Sequence, residues 1–367
     1  GDGFRGLIGD LGHAGMAGIG PGTAHGSVPE LLFATFQLTF AIITAALVSG
    51  AIADRARFAA WMVFVPVWSV VVYAVIAHWV WAPGGWLFKL GALDYAGGLV
   101  VEIVSGASAL ALALVLGPRI GFKVDAMRPH NLPFVLLGVG LLWFGWFGFN
   151  AGSALAANGM ASAIFLNTLV AGCLGMLGWL SVERVRDGRP TTFGAASGVV
   201  AGLVAITPSC GTVNTLGAAI VGLAAGIVCS FAIGLKFRFG YDDSLDVVGV
   251  HLVGGIVGTK GPQVASRSKE RIASRWRSCA RGRRRSRSRT EIWLRQIIGS
   301  AQLRVLFLIP FANQPGFDIA RHSSHGRDVR DVAGRIGAIV PKQAAAHGQS
   351  ICKQLCAGTL LREHNPQ

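Results

Sequence analysis

Charge is scarce in this chain: Asp, Glu, Lys and Arg make up 14% of its 367 residues, against about a quarter in soluble domains. That shortage excludes an ordinary water-soluble domain. With 52% hydrophobic residues and mean hydropathy +0.53, the composition is that of an integral membrane protein. Cysteine chemistry is thin as well. The six cysteines, at 173, 210, 229, 279, 352 and 356, form no CxxC pair, so neither a metal site nor a disulfide framework is arguable. The first three lie in or beside apolar stretches, where a thiol behaves as a small hydrophobe. The chain also opens without a Met or a signal peptide, which reads as the edge of a fragment.

What is present is unevenly spread. Residues 1–259 carry 12 Lys/Arg and 12 Asp/Glu, a net charge of zero. Residues 260–367 carry 21 and 6, the whole of the +15. The chain is therefore read as a transmembrane domain over 1–259 and a basic Arg/Ser-rich tail over 260–367. The break falls inside an apolar stretch, and Arg/Ser/Gly/Ala richness is what a GC-rich gene yields in a wrong frame, so the tail reads as frameshifted or disordered. A basic RNA- or lipid-binding domain is the alternative.

Apolar stretches of roughly spanning length are expected at 31–52, 58–81, 96–117, 132–150, 159–181, 192–207 and 214–237, with an eighth from Leu245 that stops at Thr259. Fifty-one glycines suit helices packed in lipid, and GxxxG pairs at 148/152, 198/202, 222/226 and 254/258 mark candidate contact faces. Arg and Lys recur on alternate loops, after the first, third, fifth and seventh stretches. By the positive-inside pattern those loops are cytoplasmic and residues 1–30 lie outside.

Ionisable groups inside spans are costly and so are functional candidates. Two stand out, Glu102 and His251, each eight residues after an aspartate, Asp94 and Asp243. An element occurring twice suggests an internal repeat, and transporters place sites at repeat interfaces. Aromatics crowd the ends of the same stretches: Phe36 and Phe40, Trp79 and Trp81, Trp143, Trp146, Phe147 and Phe149. They suit an interfacial belt or a cation site, where Trp contributes about 0.5–2 kcal/mol.

The stretches AHWVWAPGGWL, GALDYAGGLVVE, RPHNLPFVLLG, WFGFNAGSALAAN, AGLVAITPSCG and DVVGVHLVGGIVGT resemble the Amt/Mep/Rh ammonium transporters, in family order and spacing, over about 1–259. The resemblance implies an all-α integral membrane fold of eleven helices with inverted five-helix repeats, here truncated to about seven and a half (the third to the tenth) plus an unrelated tail. It implies a multi-pass protein of the inner (plasma) membrane that transports rather than catalyses. The implied substrate is ammonium/ammonia and the implied assembly a homotrimer, possible regulation coming from a PII-type protein. Neither a cofactor, a metal nor a nucleic acid is expected.

Residue by residue, Trp81 matches the Trp of the family's external recruitment site and Ser153 the hydroxyl that accepts from the bound cation. Phe40 and Phe149 match a stacked phenyl gate below it. Thr207 lies where the family lines the outer vestibule, and Asp94 matches a structural aspartate that does not contact substrate. His251 matches the second histidine of the pore's pair. Glu102 stands where most relatives carry the first, a departure that some fungal Mep proteins share. A carboxylate still accepts a proton or hydrogen bond, so the expectation is a Glu–His relay. Two rivals are an ammonium sensor of the same fold and a truncated product that does not conduct.

Overall fold

The computed structural model describes residues 2, 3 and 7–259, all within one unit bounded at Ala280; the expected tail over 260–367 lies outside the described residues. Two-residue ladders, β1 (Asp2–Gly3) with β2 (Ile8–Gly9) and β3 (Ala24–His25) with β4 (Val28–Pro29), shape the N-terminal loop. Among the described residues, those after Glu30 form helices, turns and irregular loops. Among the described residues six helices are long and apolar enough to cross a membrane, and two apolar ones are shorter.

The first crossing is α1 (Glu30–Ser49). The second runs through α2 (Phe58–Trp68), a π-helical turn over 69–73, α3 (Ala74–Trp81) and the short α4 (Trp86–Lys89). Pro66 sits within α2 and has no N–H to donate, so the regular ladder loosens just before the π turn. A second π turn, 98–103, leads into α5 (Val104–Leu116). Then come α6 (Leu132–Gly152), α7 (Gly159–Arg186), α8 (Thr192–Ile206), α9 (Thr215–Ala232) and α10 (Leu235–Phe239). The last described helix, α11 (Val248–Thr259), opens with a third π turn over 248–252.

The end of α7 differs from expectation for a physical reason. α7 runs to Arg186 rather than 181. Its last turn is held by Glu183, which accepts from Trp179 Nε1 at 3.2 Å, Thr191 N at 2.7 Å and the Thr191 hydroxyl. One buried carboxylate thereby braces the last turn of α7 and holds Thr191, whose hydroxyl caps α8 by accepting from Gly194 N at 2.9 Å. α8, expected over 192–207, has 15 residues that rise about 22 Å, less than the ~30 Å hydrocarbon core. It can be short because it is enclosed: Ala201 to Ile206 are all buried.

Glycine sets that enclosure. A Cβ on Gly202 would overlap the Ala171 carbonyl, and one on Gly226 the Gly175 carbonyl, so α8 and α9 touch α7 backbone to backbone. The pairs 198/202 and 222/226 sit at such contacts, as does Gly258 of 254/258, whereas Gly254 faces the Val204 side chain and a Cβ on Gly148 would meet nothing within 4 Å. The reason lies in α6, which buries only Trp146 and Asn150 and turns the rest of its surface outward.

Candidate functional site

Helices that alternate in direction bring the starts of α1 and α5 and the ends of α3, α6 and α8 to one end of the bundle. Aromatics fill it. Phe40, 2% exposed, is the hub: its ring meets Phe36 at 5.0 Å, Phe149 at 4.8 Å and Trp81 at 5.4 Å between centroids. The Phe40–Phe149 pair stands at 80°, edge to face where the family resemblance implied a stacked pair. A positive ring edge against a negative face is the favoured arrangement. Trp81 is aimed by its indole N–H, which donates to the Asp94 carbonyl at 3.2 Å. Ser153, at the C-cap of α6, donates its hydroxyl hydrogen to Phe149 O at 2.8 Å. Ser153, Phe149, Phe40 and Trp81 are thus linked in one chain of contacts.

Thr207 is placed otherwise than expected of a vestibule residue. It is 2% exposed; its hydroxyl donates to Leu203 O at 2.7 Å and accepts from Trp146 Nε1 at 2.8 Å. Its polar capacity goes into tying α8 to α6. The neighbouring Asn150, also buried, donates to Thr168 at 3.1 Å and ties α6 to α7.

Below the phenyl cluster, Glu102 and His251 meet. Glu102 Oε2 lies 2.5 Å from His251 Nδ1, and both residues are buried, at 2% and 7% exposed. Their approach follows from two antiparallel copies of one local design. Asp94 and Asp243 each start a turn. Three residues on, Gly97 and Asp246 take the left-handed conformation, at φ 105° and 61°. Eight residues on come Glu102 and His251, each in a π turn, and twelve on come Gly106 and Gly255. A Cβ on Gly106 would press on Leu252, and one on Gly255 on Ile103 and Glu102. Each glycine faces the residue nine beyond the other copy's aspartate, so the crossing is reciprocal and a Cβ on either side would separate the pair.

Both aspartates cap their π turn. Asp94 accepts from Gly97 N and Val100 N, each at 2.9 Å, and Asp243 accepts from Val248 N at 2.7 Å. Burial pushes each carboxyl up to about 6, against these amide bonds, which pull it down.

The opposite end is charged. Asp242, fully buried, takes the backbone N–H of Arg119 at 2.7 Å, its guanidinium at 2.8 and 2.9 Å, and Arg55 at 3.4 Å. Burial raises the Asp242 carboxyl, but these bonds and the two guanidinium charges outweigh it and leave it below the usual range. Lys236 pairs with Asp246 at 2.7 Å and donates to Asp243 O. A cavity of about 1440 Å³ opens here, with Arg55, Arg119, Lys123 and Lys236 in its wall and Val250 and His251 at its depth. His251 reaches this cavity; Glu102 does not line it. Sequence reasoning missed Asp242 and Glu183, because nothing in a loop's composition marks one acid as buried.

Comparisons with known proteins give the family of the chain. The family model of the Ammonium Transporter Family matches residues 3–306. An ammonium transporter of Mycobacterium tuberculosis is 60% identical over 242 residues, 64% of this chain and 51% of the relative. One of Bacillus subtilis is 49% identical over 255 residues, 69% of this chain and 62% of the relative. The solved structure of Saccharomyces cerevisiae Mep2 is 41% identical, with a TM-score of 0.67 over 71% of this chain and 60% of that one. A structure titled "Sensor Amt Protein" is 34% identical, with a TM-score of 0.65 over 71% and 66%. The chain spans about half the length of the mycobacterial relatives it matches. Its matched residues and its helical membrane fold place it: the chain belongs to the Ammonium Transporter Family.

Proposed function

We propose that this chain forms the conduction path of an ammonium transporter, with the aromatic end outside and the charged end in the cytoplasm. A cation arriving outside meets the face of Trp81 and the lone pairs of Ser153, whose hydrogen is already committed to Phe149 O. Phe40 and Phe149 close the way to hydrated ions. Beyond them the spans are apolar, and a bare cation there is too costly. Ammonium can leave its proton and cross as ammonia; potassium has none to leave. Thr207 and Asp94 hold this mouth in shape from behind. The homotrimer and the PII-type partner are readings of the family resemblance alone.

The observation that carries the proposal is the Glu102–His251 contact between the phenyl cluster and the inner cavity. A carboxylate against an imidazole passes a proton between two sites, which two apolar residues could not do. We assign Glu102 the outer step and His251 delivery to the cavity. The test is charge movement in vesicles holding the purified chain, followed against pH. Glu102→His should shift the pH profile of ammonium-driven current, and Glu102→Leu should abolish the current. An unaltered profile in Glu102→His would overturn the relay.

A further inference from the structure

We propose that Asp243 is the positioning residue for His251, holding it against Glu102 as Asp94 holds Glu102 against His251. The proposal rests on the relay reading above for its functional consequence, and on geometry for the positioning itself.

The two aspartates stand at opposite ends of the bundle but occupy the same place in the reciprocal design. Each is followed at three residues by a left-handed turn, at eight by a relay residue and at twelve by the contact glycine. Each carboxylate accepts N–H groups that the first turn of its helix leaves without a partner. The first turn after Asp243 carries His251, so the direction of the imidazole depends on where the cap fixes Val248.

The loop around Asp243 is built to hold that cap still. Asp243 is 1% exposed. Lys236 Nζ sits 3.1 Å from its carbonyl and 2.7 Å from Asp246, so the turn is clamped from α10. Arg55 and Arg119 bind the adjacent Asp242. With its cap gone, α11 is free to rotate its first turn, and a contact of 2.5 Å does not survive a rotation that moves a ring by an ångström.

One departure between the copies sharpens the point. Asp94 spends both carboxylate oxygens on amide N–H groups, whereas Asp243 uses Oδ2 and leaves Oδ1 buried with no bond. The cap at Asp243 therefore needs only one acceptor. An asparagine, whose amide oxygen accepts one N–H, can replace Asp243 but cannot replace Asp94.

The experiment uses the full chain with isotope-labelled imidazole in lipid nanodiscs, the His251 nitrogen signal being assigned by its loss in His251→Asn. Glu102→Ala sets the position of an unpaired His251. Asp243→Ala should move the signal to that position, Asp243→Asn should leave it where the parent has it, and Asp94→Asn should move it. An Asp243→Ala chain that folds with the His251 signal unmoved overturns the proposal. Should the alanine chain fail to fold, Asp243→Cys, whose thiol is only a weak acceptor, carries the same comparison. Uptake of labelled methylammonium is measured alongside, with a loss of about tenfold expected for Asp243→Ala and rescue by Asp243→Asn. A shifted signal in a parent chain that moves no methylammonium sinks the transport reading and leaves the positioning standing.

Discussion

The two ends of the bundle solve different problems with different side chains. At the aromatic end Phe36, Phe40, Trp81 and Phe149 lock one another by ring edges and faces, and the Asp94 carboxylate beside them is turned inward to cap a helix. At the other end Asp242, Arg55, Arg119, Lys236 and Asp246 hold the loops by full charges. A mouth that must hold a cation briefly does better with quadrupoles and hydroxyl lone pairs than with a carboxylate, which would bind it too well to release. An anchor has the opposite requirement. Asp94 and Asp243 lie in these contrasting settings, yet both are pushed up to about 6, because in each the loss of water outweighs the backbone amides that pull it down.

The comparison breaks hardest at Asp242. Its removal leaves Arg55, 11% exposed, without its carboxylate and Arg119, 13% exposed, with only the exposed Asp54 at 3.3 Å. Losing one partner of a buried ion pair costs about 3–5 kcal/mol. Asp242→Ala should therefore lower the melting temperature in detergent far more than any single change at the aromatic end. An unchanged melting temperature would show that the anchor lies elsewhere.

Neighbouring acids at that end should respond to pH with opposite sign. Asp243 is raised to about 6 from 3.8, so its contribution to stability is whole below pH 3.8 and is lost as pH rises through 6. Asp242 is lowered, so its contribution is present above pH 3.8 and is lost as pH falls through its depressed value. Melting of the parent against Asp243→Asn should accordingly diverge between pH 4 and 7, by an amount on the order of 1–3 kcal/mol. Against Asp242→Asn the difference should hold steady over that range and shrink only below pH 4. The same trend for both variants would remove the distinction between a salt-bridged acid and an amide-capped one.

Trp81 tests the aromatic end directly. A cation over an indole face gains about 0.5–2 kcal/mol, so Trp81→Leu should raise the half-saturating methylammonium concentration by roughly 2–30-fold. Lys236→Gln, at the charged end, should leave it alone. Equal effects from the two would mean that the concentration dependence does not report the aromatic mouth.

How much of this was legible in the sequence depended on whether chemistry or packing decided the matter. Glu102 and His251 could be found because an ionisable residue in an apolar stretch is rare, and their aspartates because the spacing repeats. The helices were legible from hydropathy, α8 included, expected over 192–207 and found over Thr192–Ile206, but its enclosure by α7 and α9 is not written in its own residues. The π turns leave no mark at all, because a shift from i→i+4 to i→i+5 bonding needs no particular side chain. Asp54 and Asp242 look alike as loop acids, yet one side chain is 73% exposed and the other fully buried. Thr207 is the instructive case: its motif was plain, but its use was decided by Trp146 arriving from another helix.

Ser153 offers the smallest effect and the sharpest reading of the mouth. Its hydroxyl hydrogen points at Phe149 O at 2.8 Å, which leaves the oxygen's lone pairs to accept from a cation's N–H. A net hydrogen bond contributes about 0.5–1.5 kcal/mol, so Ser153→Ala should raise the half-saturating methylammonium concentration by roughly 2–10-fold. The melting temperature should hardly move, because a hydroxyl bonded back to its own helix adds little to the fold. Ser153→Thr keeps both the hydrogen and the lone pairs and should restore the parent value. If Ser153→Ala instead cost more than Trp81→Leu, the outer mouth would be a polar site with an aromatic frame rather than an aromatic site with a polar rim. The contrast between the two ends would then be one of charge alone.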